Sequence, residues 1–175
     1  SGRALEFDGV TDYLNTGYGS GLNPTTAPIT ISVWATYGTA GRMITGAIQN
    51  NGNRLYLGVQ NDLLDLGIQA SAWASGTATG TQPTLEKSTW YRIVVVLDAG
   101  VATLYLNGES QFTKTYTSYA LTANFIVGNY SNSTSYMWDG MISDYQIWDA
   151  AFTADDVTYD YLNPEQLALN RGGTS

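Results

Sequence analysis

Two stretches decide the fold of this chain. One is Ala4-Leu5-Glu6-Phe7-Asp8-Gly9-Val10-Thr11-Asp12-Tyr13; the other is Trp138-Asp139-Gly140-Met141-Ile142-Ser143-Asp144-Tyr145-Gln146-Ile147-Trp148. Each couples a β-type run to an Asp-Gly corner. Laid side by side and antiparallel, the two runs close a sheet and bring both corners to the same end of it. Carboxylates then gather at one rim, an arrangement that suits a binding module better than an enzyme.

Strand signals recur between these stretches, with turn chemistry separating them. Ile29, Ile31 and Val33 alternate on one face of a run that ends at Trp34 and Ala35. Met43–Ile48 and Arg54–Val59 flank Asn50-Asn51-Gly52-Asn53, a strong hairpin turn, and Leu63–Gln69 continues the meander. Trp90–Leu97 is almost continuously apolar. Asp98-Ala99-Gly100 turns it into Val101–Leu106, and Asn107-Gly108 opens the next hairpin. Residues 71–84, rich in Ser, Thr, Gly and Ala around Trp73, read as a long loop. One helix is predicted from a Thr153 cap to about Tyr161, with Asp155 and Asp156 in its first turn and Asn163-Pro164 ending it. A second short turn is expected at Glu165–Leu169.

The composition agrees. The 175 residues include 22 Thr, 19 Gly and 13 Tyr but only two Lys, which favours pleated strands and tight turns. So many antiparallel strands with so little helix give an all-β, two-sheet sandwich with one or two short C-terminal helices. One domain is expected over residues 3–163. Residues 164–175 are expected to form a short helix or linker leading to a further module, and Ser1-Gly2 reads as a cloning scar. The net charge of −8 disfavours nucleic acid and anionic membranes as partners, because phosphate neutralisation needs clustered Lys and Arg. No run is apolar enough to span a bilayer. The absence of Cys and His removes thiolate chemistry and the commonest general base.

Four ordered blocks resemble the laminin G-like, concanavalin A-like jelly-roll domains of the bacterial and phage type. Phe7-Asp8-Gly9-Val10-Thr11-Asp12-Tyr13-Leu14 is similar to the family's opening F-D-G-x-x-D-Y-V. The strand Ile29–Trp34 is similar to its second block. Trp90–Asp98 with Leu104-Tyr105-Leu106-Asn107-Gly108 resembles its central hairpin, and Gly140–Thr153 resembles its closing strand. Arg92 stands where the family has His, and Ile142-Ser143-Asp144 where it has Ile-Asp-Glu. The resemblance implies a concanavalin A-like jelly roll, with functions in the family ranging from carbohydrate and protein binding to purely structural roles.

Glycosidases of this sandwich carry an E-x-D-x-E strand, which is missing here. The four Glu (6, 86, 109 and 165) are scattered, so no enzymatic activity is expected. Asp8, Asp12, Asp139 and Asp144 are the candidate ligands of a structural calcium, since this ion takes carboxylate and carbonyl oxygens held in loops. The competing reading is that Asp-Gly is turn chemistry. Sugars stack on flat apolar rings flanked by polar groups, and Trp73 in its polar loop is the leading platform. Tyr130 and Tyr136 flank a second polar loop that holds Asn132. Trp34, Trp90 and Trp148 sit inside strand patterns and are expected in the core. These features predict an extracellular, cell-surface or virion-surface module that binds a glycan or polysaccharide. The alternative is a structural module of a virion or surface appendage packing on neighbouring protein subunits.

Overall fold

The computed structural model describes residues 3–39, 42–50, 53–68, 78–117, 120–130 and 134–164. Two antiparallel sheets face each other. The first contains β1 (Leu5–Asp8), β3 (Ile29–Tyr37), β7 (Ala78–Gly80), β8 (Tyr91–Asp98), β9 (Val101–Leu106), β10 (Glu109–Thr115) and β12 (Asp139–Trp148), ordered β1-β12-β3-β8-β9-β10-β7. The second contains β2 (Leu14–Asn15), β4 (Met43–Asn50), β5 (Asn53–Gln60), β6 (Leu63–Ile68) and β11 (Ile126–Val127), ordered β2-β11-β4-β5-β6. The terminal strands pair as the sequence predicts, with Leu5 opposite Ile142 and Asp8 opposite Asp139.

Period-two alternation builds the core. Ile29, Ile31, Val33 and Ala35 of β3 point inward to meet Leu55, Leu57 and Val59 of β5 and Leu64, Leu66 and Ile68 of β6. At the far edge Lys114 reaches from β10 to Asp65 at 2.9 Å and to the Leu66 carbonyl at 2.6 Å, so a buried ion pair clips the edge strand β6 to the opposite sheet.

The same alternation sends Trp34 outward, so three of the sequence expectations for tryptophan change. Trp34 and Trp148 are half-buried on the outer face of the larger sheet, and Trp90 is 38% exposed. Trp138 is the tryptophan buried in the core. The loop expected at 71–84 includes a short strand, because Ala78–Gly80 pairs with β10. Nothing in its Thr, Ala and Gly composition announces an apolar period.

The helix α1 (Ala154–Leu162) follows a capping box in which the Thr153 hydroxyl accepts from the Asp156 amide and the Asp156 carboxylate accepts from the Thr153 amide. Val157 and Phe152 pack on Val94 and Val96, the outward side chains of β8, and form a second small core. The helix therefore covers one part of the larger sheet's outer face. The short turn expected at 165–169 lies outside the described residues.

Candidate functional site

The two Asp-Gly corners meet at one rim. Gly9 donates its amide to the Trp138 carbonyl at 2.9 Å, and a Cβ on Gly9 would lie 3.0 Å from that of Asp139. Glycine is required there both for this approach and for its φ of +72°. The carboxylates, however, are already held by donors: Asp8 and Asp12 within their own loop, and Asp139 by the loop that follows β3. Asp8 Oδ1 accepts from the amides of Val10 and Thr11 at 2.8 Å and of Asp12 at 3.2 Å, while Oδ2 accepts from the Thr11 hydroxyl. The Thr11 and Val10 amides hold the Asp8 carboxyl down at about 2, from an ordinary 3.8. Asp12 Oδ2 accepts from the Asp8 amide. Asp139 Oδ2 accepts from both the amide and the hydroxyl of Thr39, at 2.8 and 2.7 Å.

Calcium fits this rim poorly. N–H and O–H donors face the oxygens that a cation would need. Among the described residues no three carboxylates converge on a point where an ion could sit. Glu6 and Asp8 are acids two residues apart on β1, but Asp8 is committed to its turn as a permanent anion, which does not suit it to act as a general acid.

Asp144 does not join the rim. The β12–β3 register shifts between Ser143 and Gln146, and Asp144 adopts a left-handed φ of +49°. Its carboxylate turns to Arg92, 3.1 Å from Nη1. Arg92 is fully buried and forks onto Asp160 of α1, with Nε to Oδ2 at 2.7 Å and Nη2 to Oδ1 at 2.9 Å. Nη2 also donates to the Ser32 hydroxyl, and Nη1 to the Asp144 carbonyl. The guanidinium lies over the Trp34 ring, which in turn meets Tyr161 of the helix. These acids anchor the helix to the sheet.

The tyrosines named from sequence do come together. Tyr130 and Tyr136 stand 4.7 Å apart, centroid to centroid, and Tyr56 of β5 joins Tyr130 at 6.0 Å. All three lie on the outer face of the smaller sheet. Tyr56 is flanked across the strands by Gly46 and Gly67. A Cβ on Gly67 would overlap the Tyr56 ring at 2.1 Å, and one on Gly46 would meet Tyr130 at 2.5 Å. The glycines clear a shelf on which the rings lie close to the backbone. Burial, then the neighbouring Tyr136, pushes the Tyr130 hydroxyl up to about 12. It stays protonated and able to donate at any ordinary pH. Trp73 and Asn132 lie outside the described residues.

Residues 8–158 match the family described as the concanavalin A-like lectin/glucanases superfamily, laminin G type. The chain belongs to that family. Solved structures agree on the fold. A heptameric SAP-like pentraxin of Limulus polyphemus is 18% identical with a TM-score of 0.66, over 90% of this chain and 81% of the pentraxin. The binding domain of botulinum neurotoxin serotype D is 14% identical with a TM-score of 0.66, over 93% of this chain but 43% of that one. A Trypanosoma rangeli sialidase is 12% identical with a TM-score of 0.63, over 82% of this chain and 24% of the sialidase. At these identities the likeness is one of fold. No curated protein matches the sequence.

In this laminin G-like domain, then, the rim and the tyrosine shelf are separate places. Tyr56 escaped the sequence reading. A bulge between Ile48 and Asn50 shifts the β4–β5 register and so places Gly46 opposite it, and turn residues alone do not announce such a bulge. Arg92, at the family's His position, escaped too: a basic residue inside an apolar strand gains its meaning only from the helix that packs above it.

Proposed function

We propose that this laminin G-like domain is a non-catalytic, extracellular carbohydrate-recognition module whose platform is the part-exposed pair Tyr130 and Tyr136, supported from beneath by the buried ring of Tyr56. The observation that carries the reading is the convergence of three rings from distant parts of the chain over a glycine-cleared sheet face. Aromatic rings with hydroxyl tips supply what a pyranose needs, an apolar face for its C–H groups and hydrogen-bond partners for its edge. Catalysis has no comparable support. Asp8 is spent in its turn, and Asp144 and Asp160 are both bound by Arg92.

The test is retention on immobilised polysaccharides and a glycan array. Tyr136→Leu is expected to weaken retention about tenfold, corresponding to 1.4 kcal/mol of binding. Losing one ring pair of ~1 kcal/mol should lower Tm by only about 2–4 °C. Undiminished binding by Tyr136→Leu and Tyr130→Leu proteins would remove the shelf from the reading.

A second reading, a structural module packing on neighbouring subunits, is favoured by one edge of the sandwich. Leu5, Val10, Tyr13, Leu14 and Tyr18 are all exposed along the first two strands and their loops. Exposed apolar groups gathered beside an unpaired edge strand suit contact with another protein. A defined oligomer in light scattering that Leu5→Glu dissociates would support this reading over a monomeric lectin.

A further inference from the structure

The helix leaves part of the larger sheet's outer face uncovered, and the register lines up a short row of side chains there. Glu6 of β1 is opposite Met141 of β12, and Met141 is opposite Thr36 of β3. Trp90 immediately precedes Tyr91, which pairs with Ala35, so it stands next in the row beyond Thr36. Met141 and Trp90 are 39% and 38% exposed and flank Thr36 on the same face. Between them Thr36 is 4% exposed, and its hydroxyl has no hydrogen-bond partner among the described residues.

A cleft of about 270 Å3 opens over Glu6, Met141 and Thr36, walled also by Asp139, Gly38 and Gly140, and Trp90 stands beside it as Thr36's neighbour in the row. The two glycines matter to its shape. A Cβ on Gly38 would meet the Asp139 carboxylate at 2.9 Å, and one on Gly140 would meet the Thr36 carbonyl at 2.1 Å. Asp139 can therefore fold down at the cleft wall, and the backbone of β12 can approach β3.

A buried hydroxyl with no partner loses its water hydrogen bonds on folding without replacement, so a position that keeps one asks for a ligand that supplies the bond. The surroundings say which kind. Glu6 and Asp139 offer carboxylate oxygens, which accept and do not donate when ionised. Thr36 can do either, and Met141 and Trp90 offer an apolar wall. The matching ligand is rich in hydroxyl donors, has one apolar face and carries no negative charge. We propose that the cleft over Thr36 is a second binding site, distinct from the tyrosine shelf, for an uncharged pyranose. The sugar's hydroxyls donate to Glu6 and bond to Thr36, and its C–H face rests on Met141 and Trp90. Anionic sugars are rejected by Glu6, Asp139 and the nearby Asp8. The inference rests on the carbohydrate reading for its ligand class but on none of the shelf residues.

The experiment is titration of the 15N-labelled full chain with the methyl glycosides of glucose, galactose, mannose and N-acetylglucosamine, followed by amide and indole NMR shifts. At least one is expected to move Thr36, Gly38, Gly140, Met141 and the Trp90 indole N–H in a saturable way, with sialic acid moving none of them. Thr36→Val is the decisive variant, because it keeps the side chain's shape and removes a hydroxyl that no described residue satisfies. It should leave Tm unchanged or raised while weakening the sugar at least tenfold, and Trp90→Ala should weaken it comparably. Shifts confined to Tyr56, Tyr130 and Tyr136 would overturn the second site and leave the first standing. Silence from all four glycosides at the cleft, or a response there to tetramethylammonium but not to sugars, would overturn the proposal.

Discussion

Asp139 and Asp144 stand on the same strand and meet opposite fates. Asp139 lies at the rim, where its carboxylate is held by the amide and hydroxyl of one threonine. Asp144 lies under the helix, against a guanidinium with no solvent exposure. The rim sets its carboxylates against backbone amides and threonine hydroxyls in loops, in reach of water, with no cation among the partners described for them. The Arg92 cluster uses them as buried charge, where loss of one partner leaves another stranded in low dielectric. Two acidic clusters that look alike in sequence therefore carry different loads, and the difference can be measured.

The largest effect should come from the buried side. Arg92→Ala removes both bonds to Asp160, itself 1% exposed, and is expected to cost about 3–5 kcal/mol in chemical denaturation. Arg92→Met combined with Asp160→Leu should recover part of that loss, since it replaces the fully buried pair by apolar groups and leaves only the part-exposed Asp144 without its cation. Failure of the double variant to recover would mean that the guanidinium's bonds to Ser32 and Asp144, which tie β8 to β3 and β12 within the sheet, carry the stability instead. Next in size is Thr153→Ala, which removes the helix cap beside this cluster and should cost ~1 kcal/mol by the same measurement.

The rim should respond more gently. The Asp8 carboxyl is lowered from 3.8 to about 2 on folding, so it adds stability above its unfolded value that is lost as pH falls from 3.8 through about 2. Asp8→Asn should accordingly flatten the acid limb of Tm between those two pH values, with Tm below that of the parent at neutral pH and equal to it near pH 2. The smallest expected effect is that of calcium. Tm in excess calcium and in chelator should coincide, because a cation stabilises only a site it binds. A gap of several degrees that Asp139→Asn abolishes would make the rim a metal site.

Much of the architecture was legible because it depends on short-range rules. Alternation in Ile29–Val33 specifies which face of β3 is buried, Asn-Gly and Asp-Gly place turns, and Thr153 with Asp156 announces a helix start. Even the meeting of Asp8 and Asp139 followed, since antiparallel pairing of two corners at matching strand ends leaves little freedom. Asp144 was not legible in the same way. A register shift and one left-handed residue rotate it out of the pattern, and neither leaves a mark such as glycine at that position. Trp90 adjoins an apolar strand, a pattern that predicts a core position. It stands just before the strand begins, where the face it shares with Thr36 is no longer covered by the helix.

The residues alone fixed the sandwich, the pairing of its terminal strands and the capped helix, all of which are written in residue type and spacing. Which acids are buried, which aromatics share a face and where a hydroxyl is left without a partner were decided by tertiary structure. Those properties belong to contacts between strands far apart in the chain. A cross-strand neighbour, a helix laid over one half of a sheet and a glycine that lets a ring lie flat have no signature until the sheets close.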